Sequence, residues 1–426
     1  MEKFNQGSVF MNKPVTVLSL FDGMACGMLA MIRAGMKIKH YIAYETDKYA
    51  IKTAKYNFPE IYERGDVFRA NFEQYSGKID YLIGGSPCTY WSVAQKNNRE
   101  TTPSGIGWKL FMQYVRALHE VQPQFFIYEN NRSMSAEIQK AISDTFGFEP
   151  ICINSALVSA QIRQRLYWVG ARNDDGDYSK VDVTQPEDRN ILLPDVLDGV
   201  EPVVFSKPHG FNKGGCKYEK APTLTANGDY QHNHMVVEPV NYTADGKART
   251  LKAQYINTNV RNICCYSSNS STYGATGVAE AVRVGTLPRA DGELTEGQGF
   301  RVYSSDAKAV TLKGCSGGKG GKTGLYAIPI EFVGNEPVRA VSGADGKAYD
   351  VYRVENGMIY IVDKPYPIRL SDGLYIIRKL TVPECMRLQT VPYWYRFPVH
   401  DTQAYKMLGN GWTIEVIAHI IRATQK

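Results

Sequence analysis

A thiol, a carboxylate and two guanidinium groups stand at the ends of apolar runs in the first half of this chain. The thiol is Cys88, in Ser86-Pro87-Cys88-Thr89, directly after the run Ile79-Asp80-Tyr81-Leu82-Ile83-Gly84-Gly85. A strand that runs into Gly-Gly and then Pro-Cys carries its thiol to the carboxyl edge of a sheet, where open α/β folds place ligands. Cys88 is therefore a candidate nucleophile, against the alternative of a small buried core residue. The carboxylate is Glu129, which with Asn130 follows Phe125-Phe126-Ile127-Tyr128. At the end of a buried strand desolvation favours the uncharged carboxyl, so Glu129 is either a proton donor or a structural hydrogen-bonding residue. The guanidinium groups lie in Gln161-Ile162-Arg163-Gln164-Arg165-Leu166-Tyr167-Trp168. Period-2 geometry puts Arg163 and Arg165 on one face, where they can hold an anion or a carbonyl oxygen. Beside Cys88 their charge is expected to lower the thiol pKa.

A second set of residues has the character of a nucleoside site. Phe21-Asp22-Gly23-Met24-Ala25-Cys26-Gly27 leads from an apolar run into the helical pattern Met28 to Ala34. Glycines at such a turn let a ligand approach the backbone, and a helix N-terminus favours negative charge. The G-x-G-x-x-G spacing of a dinucleotide fingerprint is absent. Glu45, in Ala43-Tyr44-Glu45, stands where an acidic side chain binds both hydroxyls of a ribose. Adenosine without a pyrophosphate fits this set better than NAD. Asp66, in Gly65-Asp66-Val67, is placed either to read an adenine amine or to close a turn.

The elements that must position these residues are short β-branched or aromatic runs separated by helix-length amphipathic stretches. The runs are Val15 to Leu20, Tyr41 to Tyr44, Tyr81 to Gly85, Phe125 to Tyr128, Ile151 to Ile153 and Leu166 to Val169. That alternation predicts βαβ units and a doubly wound, mainly parallel α/β sheet. After Gly170 the texture changes: residues 201 to 380 hold 22 of the 38 glycines, with turn signals at Asp245-Gly246, Asp291-Gly292 and Asp345-Gly346. A smaller β-rich second domain follows from this. From about Leu380 the helical period returns, and Gly411 to Ala423 reads as an amphipathic helix with Ile414, Ile417, Ile420 and Ile421 on one face. With little to pack on locally, it is expected to dock back on the first domain. The expected division is 1–178, 179–395 and a returning segment 396–426.

Composition bounds the function. The 426 residues are 43% hydrophobic and 22% charged, with no run near the roughly 18 apolar residues of a membrane span and no secretory leader pattern. The expectation is an intracellular, cytoplasmic protein. The eight cysteines form no Cys-x-x-Cys pair, Cys264-Cys265 are adjacent, and His232-x-His234 is the one close histidine pair, so no metal site is predicted. Of the net charge of +6, residues 201 to 380 supply +5, with 22 basic against 17 acidic residues. A local positive excess suits a region that neutralises phosphates. The same region repeats a basic-x-x-Thr-Leu pattern at Lys220, Lys247, Arg283 and Lys308, with spacings of 27, 36 and 25 residues, too irregular for a solenoid. Gly321-Lys322-Thr323 lacks the glycine a phosphate loop needs at position 316, which is Ser, and an ATPase reading fails.

Taken in order, Phe21-Asp22-Gly23, Glu45, Gly84-Gly85-Ser86-Pro87-Cys88, Glu129-Asn130, Gln161-x-Arg163-x-Arg165, Arg378-Lys379-Leu380-Thr381 with Glu384 and Arg387-Leu388-Gln389, and Gly409-Asn410-Gly411 resemble the DNA (cytosine-5)-methyltransferases. The first motif is most similar to the animal de novo branch, and the whole to a prokaryotic or phage member. The matches cover essentially all of the chain outside residues 172 to 377. The resemblance implies a Rossmann-like methyltransferase fold that uses S-adenosyl-L-methionine. It places this cofactor against Phe21, Asp22, Gly23, Met24, Gly27, Thr46, Val67, Gly85, Leu110 and Gly411, with Glu45 on the ribose, Asp66 at the adenine and Asn410 closing the site. It makes Cys88, after Pro87, the nucleophile, Glu129 the acid at the base, and Arg165 the donor to the cytosine carbonyl, supported by Arg163 and Gln161. Such enzymes act on double-stranded DNA as monomers and are often paired with a restriction endonuclease.

Cytosine C5 is a poor nucleophile until a thiolate adds at C6 while a proton reaches N3, and the base must first leave the duplex. The resemblance also assigns target reading to the variable region. It makes Thr223-Leu224, Thr250-Leu251 and Thr311-Leu312 of the repeated pattern candidate recognition elements, with Ser92 a further DNA contact. Three positions depart from the family pattern. Thr46 stands where an aromatic residue stacks on adenine, a gap Tyr44 can fill; Asn131 replaces Val after Glu-Asn; and Cys26 sits in a usually Gly-rich turn. A tRNA cytosine methyltransferase and an inactive DNA-binding relative are the competing readings.

Overall fold

The computed structural model describes residues 13–92, 99–198, 280–295, 297–314, 319–321, 323–330, 347–361 and 364–425, and the backbone alone of 200–201, 204–206, 217–218, 234–235 and 340–343. The fold divides into two compact units: residues 1–191, 310–315 and 385–426 form the first, and 192–309 with 316–384 the second.

The first unit is built on a sheet of β1 (Val15–Leu20), β2 (Ile38–Tyr44), β3 (Tyr62–Glu63), β4 (Tyr81–Gly84), β5 (Phe125–Asn131), β6 (Ile151–Asn154), β7 (Gln164–Arg172) and β8 (Tyr178–Lys180). Their order is β3-β2-β1-β4-β5-β7-β6, with β8 on β7. Helices α1 (Cys26–Arg33), α2 (Lys48–Asn57), α3 (Ile106–Val121) and α4 (Ala136–Phe146) connect the strands, and α6 (Asp401–Asn410) and α7 (Ile414–Ala423) complete the unit. Local chemistry sets several boundaries. The Asp47 carboxylate accepts from Tyr49 N at 2.9 Å to open α2, and Gly147 at φ 82° closes α4 in the left-handed region. Strand β1 reads Val-Thr-Val-Leu-Ser-Leu and is buried along almost its whole length, as a parallel strand covered on both faces must be.

The sheet is mainly parallel, with one strand reversed. β3, β2, β1, β4 and β5 run parallel, but β7 pairs antiparallel with β5, β6 and β8. The connections explain this. Residues 155–163 between β6 and β7 and 173–177 between β7 and β8 are too few for a parallel crossover, which needs about a dozen or more.

Helix α7 buries Ile414, Ile417, Ile420 and Ile421 completely and packs on α1. At roughly 1.5–3 kcal/mol for each buried isoleucine, this face anchors the last segment of the chain to the first unit. No helix among the described residues is long and apolar enough to cross a membrane, and no His, Cys, Asp or Glu cluster among them could hold a metal ion.

The second unit is β-structured. One sheet runs β13-β14-β15-β20-β17-β16-β9, where β9 is Val200–Glu201, β13 Arg283–Thr286, β14 Arg301–Ser304, β15 Leu325–Ile330, β16 Ala340–Gly343, β17 Ala348–Glu355 and β20 Gly373–Arg378. β18 (Met358–Ile361) and β19 (Lys364–Pro367) extend it, and β10 (Val204–Ser206), β11 (Lys217–Tyr218) and β12 (His234–Met235) form a small separate sheet. Its core gathers Val284, Leu287, Val302, Val354, Ile359 and Ile377. At the start of α5 (Val382–Leu388) Glu384 is fully buried and takes both guanidinium arms of Arg378, at 2.6 and 2.7 Å, together with Thr381 N and Asp198 N. Arg378 and Glu384 thus form a structural ion pair.

Candidate active site

Sheet order brings the chemistry to one edge. Leu20 pairs with Gly84 and Gly84 with Tyr128, so the turns that leave β1, β4 and β5 lie side by side at the carboxyl edge, on both sides of the point where strand order reverses. Because β7 is antiparallel, its beginning meets the same edge, with Arg165 opposite Asn131 and Tyr167 opposite Glu129.

Cys88 opens a single 3₁₀ turn, Cys88–Tyr90, behind Pro87. Asn130, fully buried, holds the approach to that turn by donating to Ser86 O at 3.1 Å and to the Tyr128 hydroxyl at 3.2 Å. The Cys88 thiol is pushed up from its ordinary value, first by burial; Arg165 and Arg163 oppose the shift and Glu129 adds to it. This corrects the expectation of a lowered pKa: the two arginines act to lower it, but desolvation outweighs them.

Glu129 is not in an apolar setting. Its Oε1 pairs with Arg165 Nε at 3.1 Å, and its Oε2 accepts from the Trp412 indole at 2.9 Å. A Cβ at Gly85 would overlap the Glu129 carbonyl and crowd Oε2, so the bare backbone there is what lets this side chain lie against the end of β4. Trp412 carried no expectation from sequence, although it directly follows Gly409-Asn410-Gly411; a single indole beyond that triplet was the available signal.

Arg163 and Arg165 part company. Arg163 lies just before β7, buried, and donates to Gly409 O at 3.0 Å, Gly411 O at 2.8 Å and Leu312 O at 3.2 Å. Burial and the nearby Arg165 lower its pKa to about 10. It fastens the turn between α6 and α7, while Arg165 alone reaches Glu129. Gln161 is fully buried, and neither of its amide atoms has a hydrogen-bond partner among the described residues.

The nucleoside set converges around the turn after β1. Phe21 at φ 57° and Gly23 at φ 61° are left-handed there. Glu45 spans the turn: Oε2 accepts from Gly23 N at 2.8 Å, and Oε1 from Thr46 N at 2.7 Å and Asp47 N at 2.8 Å. Phe21, Val67 and Leu110 join one apolar cluster. Asp66 caps its own 3₁₀ turn, accepting from Phe68 N at 3.0 Å.

Several residues are placed differently from the expectation. Asp22 turns inward, where its Oδ1 accepts from Ser19 and Tyr41 hydroxyls, each at 2.6 Å. Its Oδ2 is buried without a hydrogen-bond partner among the described residues. Burial first, with repulsion from Glu45, raises its pKa to about 7. Glu63 on β3, with both carboxylate oxygens buried and without such partners, is raised to about 8 by burial and by Asp22 and Glu45. Gly27 serves packing rather than ligand approach, since a Cβ there would overlap Ile83 and the Tyr41 hydroxyl. Tyr44 does not fill the gap left by Thr46: it is buried against Phe72, with centroids 5.3 Å apart.

Met24 gives its carbonyl to the Tyr395 hydroxyl at 2.6 Å, and Gly411 lies over Cys26 Sγ. Asn410 ends α6, exposed, with its side chain against Gly314. Ser92 donates its backbone N–H to Cys88 O at 3.0 Å. Thr311 and Leu312 belong to the first unit. The Thr311 hydroxyl donates to Ile162 O at 2.5 Å and Leu312 is buried, so their contacts are structural. Thr223, Leu224, Thr250 and Leu251 lie outside the described residues.

A family model described as C-5 cytosine-specific DNA methylase matches residues 15–426. The type II methyltransferase M.Eco47II of Escherichia coli is 33% identical over 195 residues, 43% of this chain and 45% of that protein. The orphan methyltransferase M.Rho11sI of Bacillus phage rho11s is 26% identical over 366 residues, 78% of this chain and 65% of its own length. The chain thus spans about half to two thirds of these two curated relatives. Among solved structures, the Entamoeba histolytica methyltransferase EhMeth aligns with a TM-score of 0.53 at 13% identity, covering 97% of this chain and 98% of that one, a likeness of fold.

Proposed function

Because the chain belongs to the C-5 cytosine-specific DNA methylase family, we propose that it transfers a methyl group from S-adenosyl-L-methionine to C5 of a cytosine extruded from duplex DNA. The observation that carries this reading is the convergence of Glu129 and Arg165 near the turn of Cys88: the carboxylate is ion-paired to the arginine, and Asn131, opposite Arg165 in the sheet, donates to the Cys88 carbonyl.

The donor set fits an adenosyl group. Glu45 offers its carboxylate beside Gly23 as an acceptor for ribose hydroxyls, Phe21, Val67 and Leu110 supply apolar walls, and Asp66 stands by Val67 for the adenine amine. Without a pyrophosphate there is no need for a longer glycine loop. When bound, S-adenosyl-L-methionine supplies an electrophilic methyl on a sulfonium.

The chain's own residues do the rest. Cys88 must lose its proton before it adds to C6, and burial opposes that loss. Glu129 raises the thiol pKa while it is charged, so a proton on Glu129 favours a thiolate on Cys88. That pairing is the one the chemistry uses: the thiolate forms the C6–S bond while Glu129 passes its proton to N3. Arg165 donates to the cytosine carbonyl, and Trp412 keeps the Glu129 carboxylate in place. After C5 is methylated, loss of its proton and return of the N3 proton break the C6–S bond and free Cys88.

The β-structured second unit and its basic excess support a role in holding DNA phosphates and reading the target. A cognate endonuclease is a natural partner, since relatives are named type II methyltransferases, whereas the phage relatives are named orphan. The test is incorporation of label from methyl-labelled cofactor into duplex DNA and into tRNA. Label in DNA that is abolished by Cys88→Ser is expected; label confined to tRNA, or surviving the substitution, overturns the reading.

A further inference from the structure

We propose that Asn131 and Arg99 are positioning residues for the nucleophile, closing a ring of hydrogen bonds that fixes the turn on which Cys88 stands. The inference rests on Cys88 being the nucleophile and adds how it is held.

Asn131 occupies the position where the resemblance to cytosine methyltransferases expects Val, a residue with no polar side-chain atom. It is buried, and its Nδ2 donates to the carbonyl of Cys88 at 3.4 Å and to Asn130 Oδ1 at 3.2 Å. Its Oδ1 accepts from the Ser133 hydroxyl at 2.8 Å. Ser133 O in turn accepts from Arg99 Nη2 at 2.7 Å, and Arg99 Nε donates to Trp91 O at 3.1 Å. Trp91 N donates to Cys88 O at 3.1 Å, which returns the ring to its start.

Trp91 is fully buried and is anchored from the other side. Its indole donates to Glu100 Oε2 at 3.2 Å, and the same oxygen accepts from Gly107 N at 3.1 Å in the first turn of α3. A carbonyl on which three donors converge, Trp91 N, Ser92 N and Asn131 Nδ2, cannot swing without losing several bonds at once. None of these groups touches the thiol. Their effect on it is through placement of the backbone, and an error of about 1 Å in a reacting atom can cost about 10²-fold in rate.

The test uses duplex DNA several kilobases long, amplified with 5-fluorocytosine in place of cytosine, which traps the Cys88 adduct. Wild-type, Asn131→Val, Arg99→Gln, Ser133→Ala and the Asn131→Val/Arg99→Gln double variant are compared. Asn131→Val installs the residue the family pattern carries, and Ser133→Ala opens the ring with the least change in volume. Trapping is expected to slow about tenfold for Asn131→Val and Arg99→Gln and about threefold for Ser133→Ala, with cofactor KM and thermal midpoint unchanged. The double variant is expected to be no slower than the worse single one, because an open ring cannot be opened twice. Wild-type trapping with equal rates in all variants, or independent multiplying losses, overturns the ring and leaves the nucleophile intact. Absence of trapping by the wild-type protein sinks the underlying function instead.

Discussion

Trp412→Phe probes a contact to Glu129 that no motif announced. The phenyl ring keeps an aromatic side chain at this position, though a smaller one, and lacks the N–H that donates to Glu129 Oε2 at 2.9 Å. A hydrogen bond to a charged group contributes about 1.5–3 kcal/mol. Arg165 remains on the other oxygen, and the Glu129 side chain keeps 12% of its surface exposed, so the low end of that range applies. About 1.5 kcal/mol corresponds to roughly a tenfold loss. The assay is single-turnover methyl transfer to duplex DNA with labelled cofactor at saturation, alongside calorimetric titration of the cofactor. The rate is expected to fall about tenfold while cofactor affinity holds, and in a Glu129→Gln background the same substitution should have little further effect. Wild-type turnover by Trp412→Phe, or a loss fully recovered by raising cofactor concentration, would refute the assignment of the indole to the carboxylate.

Alkylation of Cys88 by iodoacetamide in the free protein should be slower at pH 8 than that of an unhindered thiol, slower again in Arg165→Ala and faster in Glu129→Gln, following the signs of the two charges; mass spectrometry of the Cys88 peptide reads it, and the reverse order defeats the electrostatic account. Asp22 keeps its proton up to about pH 7 in the folded protein but has an ordinary value near 3.8, so stability is expected to fall as pH rises from about 4 to 7 and then level. Asp22→Asn should flatten that limb of a Tm-against-pH curve, with Glu63→Gln doing the same up to about pH 8. Glu384→Ala leaves the Arg378 charge buried alone and should cost about 3–5 kcal/mol in denaturant unfolding, whereas replacing both partners by apolar residues should cost much less.

The six strands anticipated from apolar runs are present as β1, β2, β4, β5, β6 and β7, because a strand buried on both faces is nearly continuous in hydrophobicity. The direction of β7 was not legible: a run of residues carries no sign, and only the short connections on both sides of it set the antiparallel pairing. For the candidate site the sequence supplied residues and no wiring between them. Glu129 and Arg165 pair, while Arg163, an equally good candidate by period, goes to backbone carbonyls 246 and 248 residues away in sequence. Asp22 and Gly27 were assigned to the ligand and instead build the floor of the turn, since one carboxylate must satisfy Ser19 and Tyr41. The sign of the Cys88 shift depended on depth of burial, which a sequence does not state.

The reversed direction of β7 is what makes the site possible. Its arginines stand at its start, and β7 has nine residues at about 3.3 Å each. In a parallel orientation that start would lie roughly 30 Å away, at the opposite edge from Cys88, and Glu129 would have no cation. Antiparallel pairing also sets Arg163 beside the turn between α6 and α7, and that same turn returns the Trp412 indole to Glu129. The Glu129 carboxylate is therefore held from one side by a strand that runs backwards and from the other by the turn between α6 and α7. The burial of Ile414, Ile417, Ile420 and Ile421 thus helps to hold the turn that presents Trp412 to Glu129. Trimming Ile417, which is fully buried, to Ala is expected to cost about 2–5 kcal/mol in denaturant unfolding, and an unchanged midpoint would refute the anchoring role of this face.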